Sequence, residues 1–248
     1  ELIPMHIALH DNHNRPIVDV EDSRVPLNYF NIVKLKRGEA FEYQVRGYET
    51  GIVPATGTID VEIEGVHFED IGKRGIDVWD GEPEGVYCPT GAKAQLVCQS
   101  ESAEVFIAGA KFDGILEPFA VREADIDRVQ YGSDETKTHR KIKHILGTKY
   151  RDKVGRLLVS ELFTAGPAFR RTSMIRIDCR SKRDTTKPTI SVSVRTTDLA
   201  CNWSSVRMAR WEMPIICWMD PPWFWKKATT LVSSPRGMKC TISPFWEA

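Results

Sequence analysis

The chain has no apolar run approaching the eighteen or more residues of a membrane-spanning helix, and no signal-peptide pattern opens it. The expectation is a soluble cytoplasmic protein with no membrane partner. It also lacks the CxxC spacing of metal or redox thiols. Cys88, Cys98, Cys179, Cys201, Cys217 and Cys240 are scattered, which favours reduced thiols over a disulfide framework. Net charge is absent as well, at +0, but that balance hides a split. Fourteen Lys and Arg against six Asp and Glu follow residue 167, so that part carries +8 and the part before it −8. These basic residues follow no helical face and no RNP-like strand, and they sit among clustered Trp, Cys and Met. A nucleic-acid partner is therefore not expected. Histidine is missing from the same stretch. All six histidines precede residue 168, whereas six of the seven tryptophans follow it: Trp203, Trp211, Trp218, Trp223, Trp225 and Trp246.

With 248 residues the chain can bury a real core in one large domain or two small ones. From Tyr29 it is a series of short apolar or alternating runs broken by Gly, Pro and acidic turns. Thr58–Glu64 alternates apolar and polar residues with the period of a half-buried strand. Further runs at Phe30–Leu35, Gly75–Trp79, Gly85–Cys88, Ala92–Cys98 and Val105–Ala110 show no helical period between them. Such spacing predicts an antiparallel sandwich or barrel. Gly57, Gly65 and Gly91 fall where turns need a permissive backbone.

The spacing is similar to the two cupin motifs. Gly38 is followed after five residues by Gln44, then Arg46, Glu49 and Gly57, and later by Pro89-Thr90-Gly91. Gln44 and Arg46 stand where that pattern has histidines, and Lys93-Ala94 replaces the later one. An arginine cannot ligate a metal, and a lone Glu49 cannot hold a transition metal, so this barrel is expected to be metal-free and structural. His6, His10 and His13 offer an H-x3-H-x2-H spacing, but Asp11, Asn12 and Asn14 read as loop, which favours a polar, partly mobile leader over a metal site. His139 and His144, in a charged stretch, read as solvated linker residues. Arg156–Phe163 then reads as a new strand.

Taken together, Leu35–Glu39, Thr56–Val61, Ile71–Arg74, Tyr87–Gly91, Arg140–Leu146 and Leu157–Phe163 resemble the 5-deoxy-glucuronate isomerase family, openly over about residues 26 to 167. The resemblance implies an all-β fold, a cupin-type antiparallel barrel of a bicupin family. It also implies aldose–ketose isomerisation of 5-deoxy-glucuronate to 5-dehydro-2-deoxy-gluconate in myo-inositol catabolism. In that family the second cupin carries the active site, with a Gly-Gly-Trp-Ser-type turn and Pro-Pro-His-Lys-His-Asp supplying ligands to a divalent metal ion. That motif is missing here.

The reason we read is a shifted coding frame from about Ala168. Joining the last base of each codon to the first two of the next forces Asp from Met174-Ile175, and Asp and Gly from Trp218-Met219-Asp220. It also forces Val from Trp223-Phe224, Glu from Trp225-Lys226, and Leu and Gly from Phe245-Trp246-Glu247. With permissive third bases, Ala168–Ile177 becomes Phe-Pro-Pro-His-Lys-His-Asp-Thr, and three later stretches follow the family in the same order and the same shift. The lesion falls between Pro167 and Ala168.

The expected organisation is a polar N-terminal leader over 1–25, a metal-free first cupin barrel over 26–112 and a connector over 113–150. The opening strand of a second cupin covers 151–167, and a poorly structured out-of-frame tail covers 168–248. The second barrel is thus truncated or disrupted, leaving Arg156–Phe163 as an unpaired or opportunistically paired edge. No catalytic, cofactor-binding or metal-binding residue is assigned to this chain, and no cofactor is expected to bind it. A sugar acid is the expected small-molecule partner, and a homo-oligomer is compatible with the sequence. The alternative is a non-catalytic cupin-like binding or scaffold module.

Overall fold

The computed structural model describes residues 11–22, 26–75, 80–133 and 141–161 with their side chains. It also describes the backbone of 5–7, 140, 162–166, 169–180, 188–197 and 215–219. Its strands, in chain order, are β1 (Met5–Ile7), β2 (Asn28–Lys36), β3 (Ala40–Gln44), β4 (Tyr48–Ile63) and β5 (Val66–Arg74). They continue as β6 (Gly85–Cys88), β7 (Lys93–Cys98), β8 (Ser102–Lys111), β9 (Phe119–Val121) and β10 (Asp127–Tyr131). The last five are β11 (Arg140–Leu146), β12 (Leu157–Gly166), β13 (Phe169–Arg180), β14 (Pro188–Thr197) and β15 (Ile215–Met219). All pairings are antiparallel. No helix among the described residues is long and apolar enough to cross a membrane.

The alternation of Thr58–Glu64 becomes the second half of β4, with Ile59, Val61 and Ile63 buried and the polar residues between them less so. That half pairs with β5 and β7. The first half pairs with β6 and β8, so one long strand belongs to two sheets. The register shifts between Pro54 and Thr56, where a proline without an N–H is tolerated at an irregularity. Gly57 has φ +75, and a Cβ there would lie 2.2 Å from the Ser102 carbonyl oxygen, so only glycine fits this corner. The two sheets enclose Val33, Leu35, Ile52, Ile59, Val61, Leu96 and Ile107 among others. Filling a barrel interior with such side chains stabilises it by about 1.5–3 kcal/mol per fully buried large residue. The all-β, cupin-type antiparallel barrel is therefore present.

Strands β2, β6 and β8 are buried on both faces. Their outward side chains, Phe30, Ile32, Tyr87, Phe106 and Ala108, form a second core with Ile145, Leu146, Leu157 and Val159. The other sheet, ordered β1-β15-β14-β13-β12-β11-β10, lies over this face. β12 lies over β4 and β8, β13 over β8 and β14 over β2.

Three features differ from the sequence reading. Residues 113–150 carry strands rather than linker: β9 extends the barrel sheet, and β10 and β11 begin the second. Their polarity masks this because basic side chains meet acids across the junction, Lys143 Nζ lying 3.0 Å from the Glu82 carboxylate. β12 is not an edge, since it pairs with both β11 and β13. Within the span read as a poorly structured tail, the backbone forms β13, β14 and β15. Ile190, Val192 and Val194 alternate with Ser191 and Ser193, which is the period of a strand. β15 ends at Met219, just before Asp220-Pro221-Pro222, as prolines demand. From residue 76 onward the run read at Gly75–Trp79 lies outside the described residues, and so does 220–248.

Candidate functional site

The cupin-motif residues do not converge. Gln44 ends β3, exposed, and its side-chain amide donates to the Gly91 carbonyl at 2.8 Å. Arg46 is exposed in the following turn. Lys93 is exposed beside Glu42, with Nζ 2.8 Å from its carboxylate, and Ala94 is buried in the barrel interior. Inside, Tyr43 Oη lies 2.8 Å from Thr50 Oγ1, and burial pushes the Cys88 thiol up to about 11, which leaves it a protonated, inert core group.

Glu49 points the other way, to the junction. Its carboxylate accepts the Tyr87 hydroxyl at 2.6 Å and the main-chain N–H groups of Gly155 at 2.8 Å, Arg156, and Leu157 at 2.7 Å. Burial, then the charge of Glu49, pushes the Tyr87 phenol far above its ordinary value, so it remains an O–H donor. Glu49 is thus the fixing point for the start of β12. In β4, Tyr48, Thr50 and Ile52 face the barrel interior, so an odd-numbered Glu49 must face out.

A second junction contact lies further along β12. Arg74, from the end of β5, meets Glu161 in a two-pronged pair, Nη1 to Oε1 at 3.0 Å and Nη2 to Oε2, with side-chain exposures of 1% and 0%. Arg74 Nε also donates to the Gly81 carbonyl. Sequence reasoning missed this pair across 87 positions, although both Ile71–Arg74 and Leu157–Phe163 carried the family resemblance.

Ser160, between the inward Val159 and Glu161, faces away from the barrel, and its Oγ lies 2.7 Å from His144 Nδ1 on the paired strand. His144 is therefore a half-buried strand residue, not a solvated linker. His13 sits in an exposed turn (φ 49) with its ring 3.4 Å from Asp11. Asn12 holds this segment to β2 by donating to the Ile32 carbonyl and Asn31. The side chain of His6 and the whole of His10 and His139 lie outside the described residues.

Among the described residues no three His, Cys, Asp or Glu side chains come together as a metal site. The donor set does not fit a cupin metal: Glu49 is spent on main-chain N–H groups, Gln44 on a carbonyl, and Arg46 is a cation. Among the described side chains, the second sheet offers one imidazole–hydroxyl pair, on the face turned from the barrel.

Comparison with known proteins agrees with this architecture. The chain is similar to the 5-deoxy-glucuronate isomerase of Listeria monocytogenes serotype 4b, with 24% identity over 156 residues, covering 62% of this chain and 56% of that protein. The same protein from a second strain of that serotype gives the same values. The chain thus spans little more than half the length of the curated relatives it matches. An IolB-like protein from Salmonella typhimurium shares the fold, with a TM-score of 0.53 and 16% identity, covering 81% of this chain and 86% of that one. The sequence model of the KduI/IolB family matches residues 3–169, most of the chain, and the chain accordingly belongs to the KduI/IolB family.

Proposed function

We propose that the chain derives from an intramolecular aldose–ketose isomerase converting 5-deoxy-glucuronate to 5-dehydro-2-deoxy-gluconate in myo-inositol catabolism, and that this polypeptide does not itself turn the substrate over. The carrying observation is that family similarity stops at residue 169, beside the Pro167–Ala168 point where we read the frame shift, although the chain runs on. Isomerisation moves a proton between adjacent carbons through an enediolate. It needs a base within hydrogen-bond reach and donors aimed at the developing oxyanion. His144 with Ser160 is one imidazole–hydroxyl pair, and no histidine follows it. The partner of the functional ancestor would be a sugar acid.

The test compares the chain with a version whose frame is restored after Pro167, each incubated with 5-deoxy-glucuronate and followed by proton NMR. We expect no turnover by the chain, and turnover by the restored protein that a chelator abolishes. Turnover by the chain as it stands would refute the proposal. A second reading, a non-catalytic cupin-like binding or scaffold module, is favoured by the filled barrel interior and the commitment of Glu49 to the junction. A restored protein that folds without isomerising would favour it.

A further inference from the structure

Asn28, at the start of β2, is fully buried, yet among the described residues neither its amide nitrogen nor its amide oxygen has a hydrogen-bond partner. Buried carboxamides are normally satisfied, because an orphaned polar group forfeits its hydration without return. The location of this one is informative. Asn28 pairs with Ala110 from one side and Glu49 pairs with Ala110 from the other. The three residues form one cross-strand row on the outward face of the barrel sheet, about 10 Å from Asn28 to Glu49 at two strand spacings. Along the same face β12 lies over β4, and β14 lies over β2.

At one end of the row, then, a buried polar side chain takes the main chain of the strand above it. Glu49 accepts the N–H groups of residues 155–157, within the span that matches the family. At the other end β2 lies under β14, which belongs to the span beyond residue 169, and the buried amide of Asn28 has no partner among the described residues. We infer that the row Asn28–Ala110–Glu49 is a two-point docking surface for main chain. Glu49 seats the start of β12, and Asn28 seats the strand two places further along that sheet, as the restored frame encodes it. A carboxamide suits that role because it can donate to a main-chain carbonyl and accept a main-chain N–H together, closing a two-bond ring with one peptide segment.

The inference rests on the frame reading, and the test separates the two. Asn28→Leu, close in shape and apolar, is introduced both into the chain as it stands and into the frame-restored chain, and the unfolding midpoint of each is measured. Removing an orphaned amide raises the midpoint of the first, and removing a docked amide lowers that of the second. A lowered midpoint in the chain as it stands, or a raised one in both, overturns the inference. Side-chain amide NMR of the unsubstituted proteins gives an answer that needs no variant. The Asn28 NH2 protons shift downfield, as hydrogen-bonded protons do, in the restored chain only. Equal shifts in both proteins overturn the inference. An active restored enzyme that tolerates Asn28→Leu without loss sinks the docking role and leaves the frame reading standing. An inactive, unfolded restored chain sinks the frame reading and the inference with it.

Discussion

Removing one partner of the Arg74–Glu161 pair should be among the most damaging single changes in the described part of the molecule. Both side chains are almost wholly excluded from water, and each charge is met by the other in two-pronged geometry. Arg74→Met would leave the Glu161 carboxylate buried between the barrel and β12 without its guanidinium. Glu161→Leu would strand a guanidinium whose remaining assigned bond is to the Gly81 carbonyl. Breaking a buried pair in this way costs about 3–5 kcal/mol, because the surviving ion keeps its desolvation cost and loses its compensation. For a chain of this size that lowers the melting temperature by about 6–20 °C. The double variant Arg74→Met/Glu161→Leu removes both charges and keeps the volume, so it should lie within about 1–2 kcal/mol of the parent or above it. Urea unfolding of the four proteins of this cycle, with amide exchange on β12 as the local readout, gives the coupling directly. Single variants that each cost under about 1 kcal/mol, and that simply add in the double, would show that the pair is solvated and the junction loose.

Two further outcomes follow from burial. Desolvation raises the pKa of Glu104 above its ordinary 4.5, with Lys34 opposing weakly. The folded state therefore binds this proton more tightly than the unfolded state, and the group's contribution to stability falls as pH rises from about the unfolded value through the raised folded one. Glu104→Gln should remove that decline and raise the unfolding midpoint at pH 7 relative to the parent. A larger loss at pH 7 than at pH 4 would contradict this. Separately, a chain ended at residue 112 would expose Phe30, Ile32, Tyr87 and Phe106 on the outward face of the barrel sheet, an apolar patch that invites association. Light scattering should show it aggregating, whereas a chain ended at residue 166 keeps β11 and β12 over that face. A monodisperse 1–112 fragment would mean that the outer core is dispensable.

Periodicity alone was enough to locate the strands around Phe30–Leu35, Thr58–Glu64, Gly85–Cys88, Ala92–Cys98 and Val105–Ala110, because a two-residue alternation is a local property of the chain. Donor chemistry is likewise a property of the residue type, which is why Arg46 at a ligand position, beside a lone Glu49, argued against a transition metal in this barrel. Local pattern failed where burial was decided from outside the segment. Arg140–Leu146 looked like linker because it is rich in charge, and only its pairing with β10 and β12, with Glu82 meeting Lys143, makes it a packed strand. His144 looked solvated until β12 brought Ser160 to its ring. Glu49 is a neutral fact in the sequence, and whether it faces the barrel or the junction depends on the parity of β4 and on a strand beginning 108 positions later. The partner of Arg74 stands 87 positions away for the same reason. Sequence determined which side chains could do chemistry and which could not. Tertiary structure decided which buried charges meet, because desolvation and pairing depend on what the rest of the chain lays over each face.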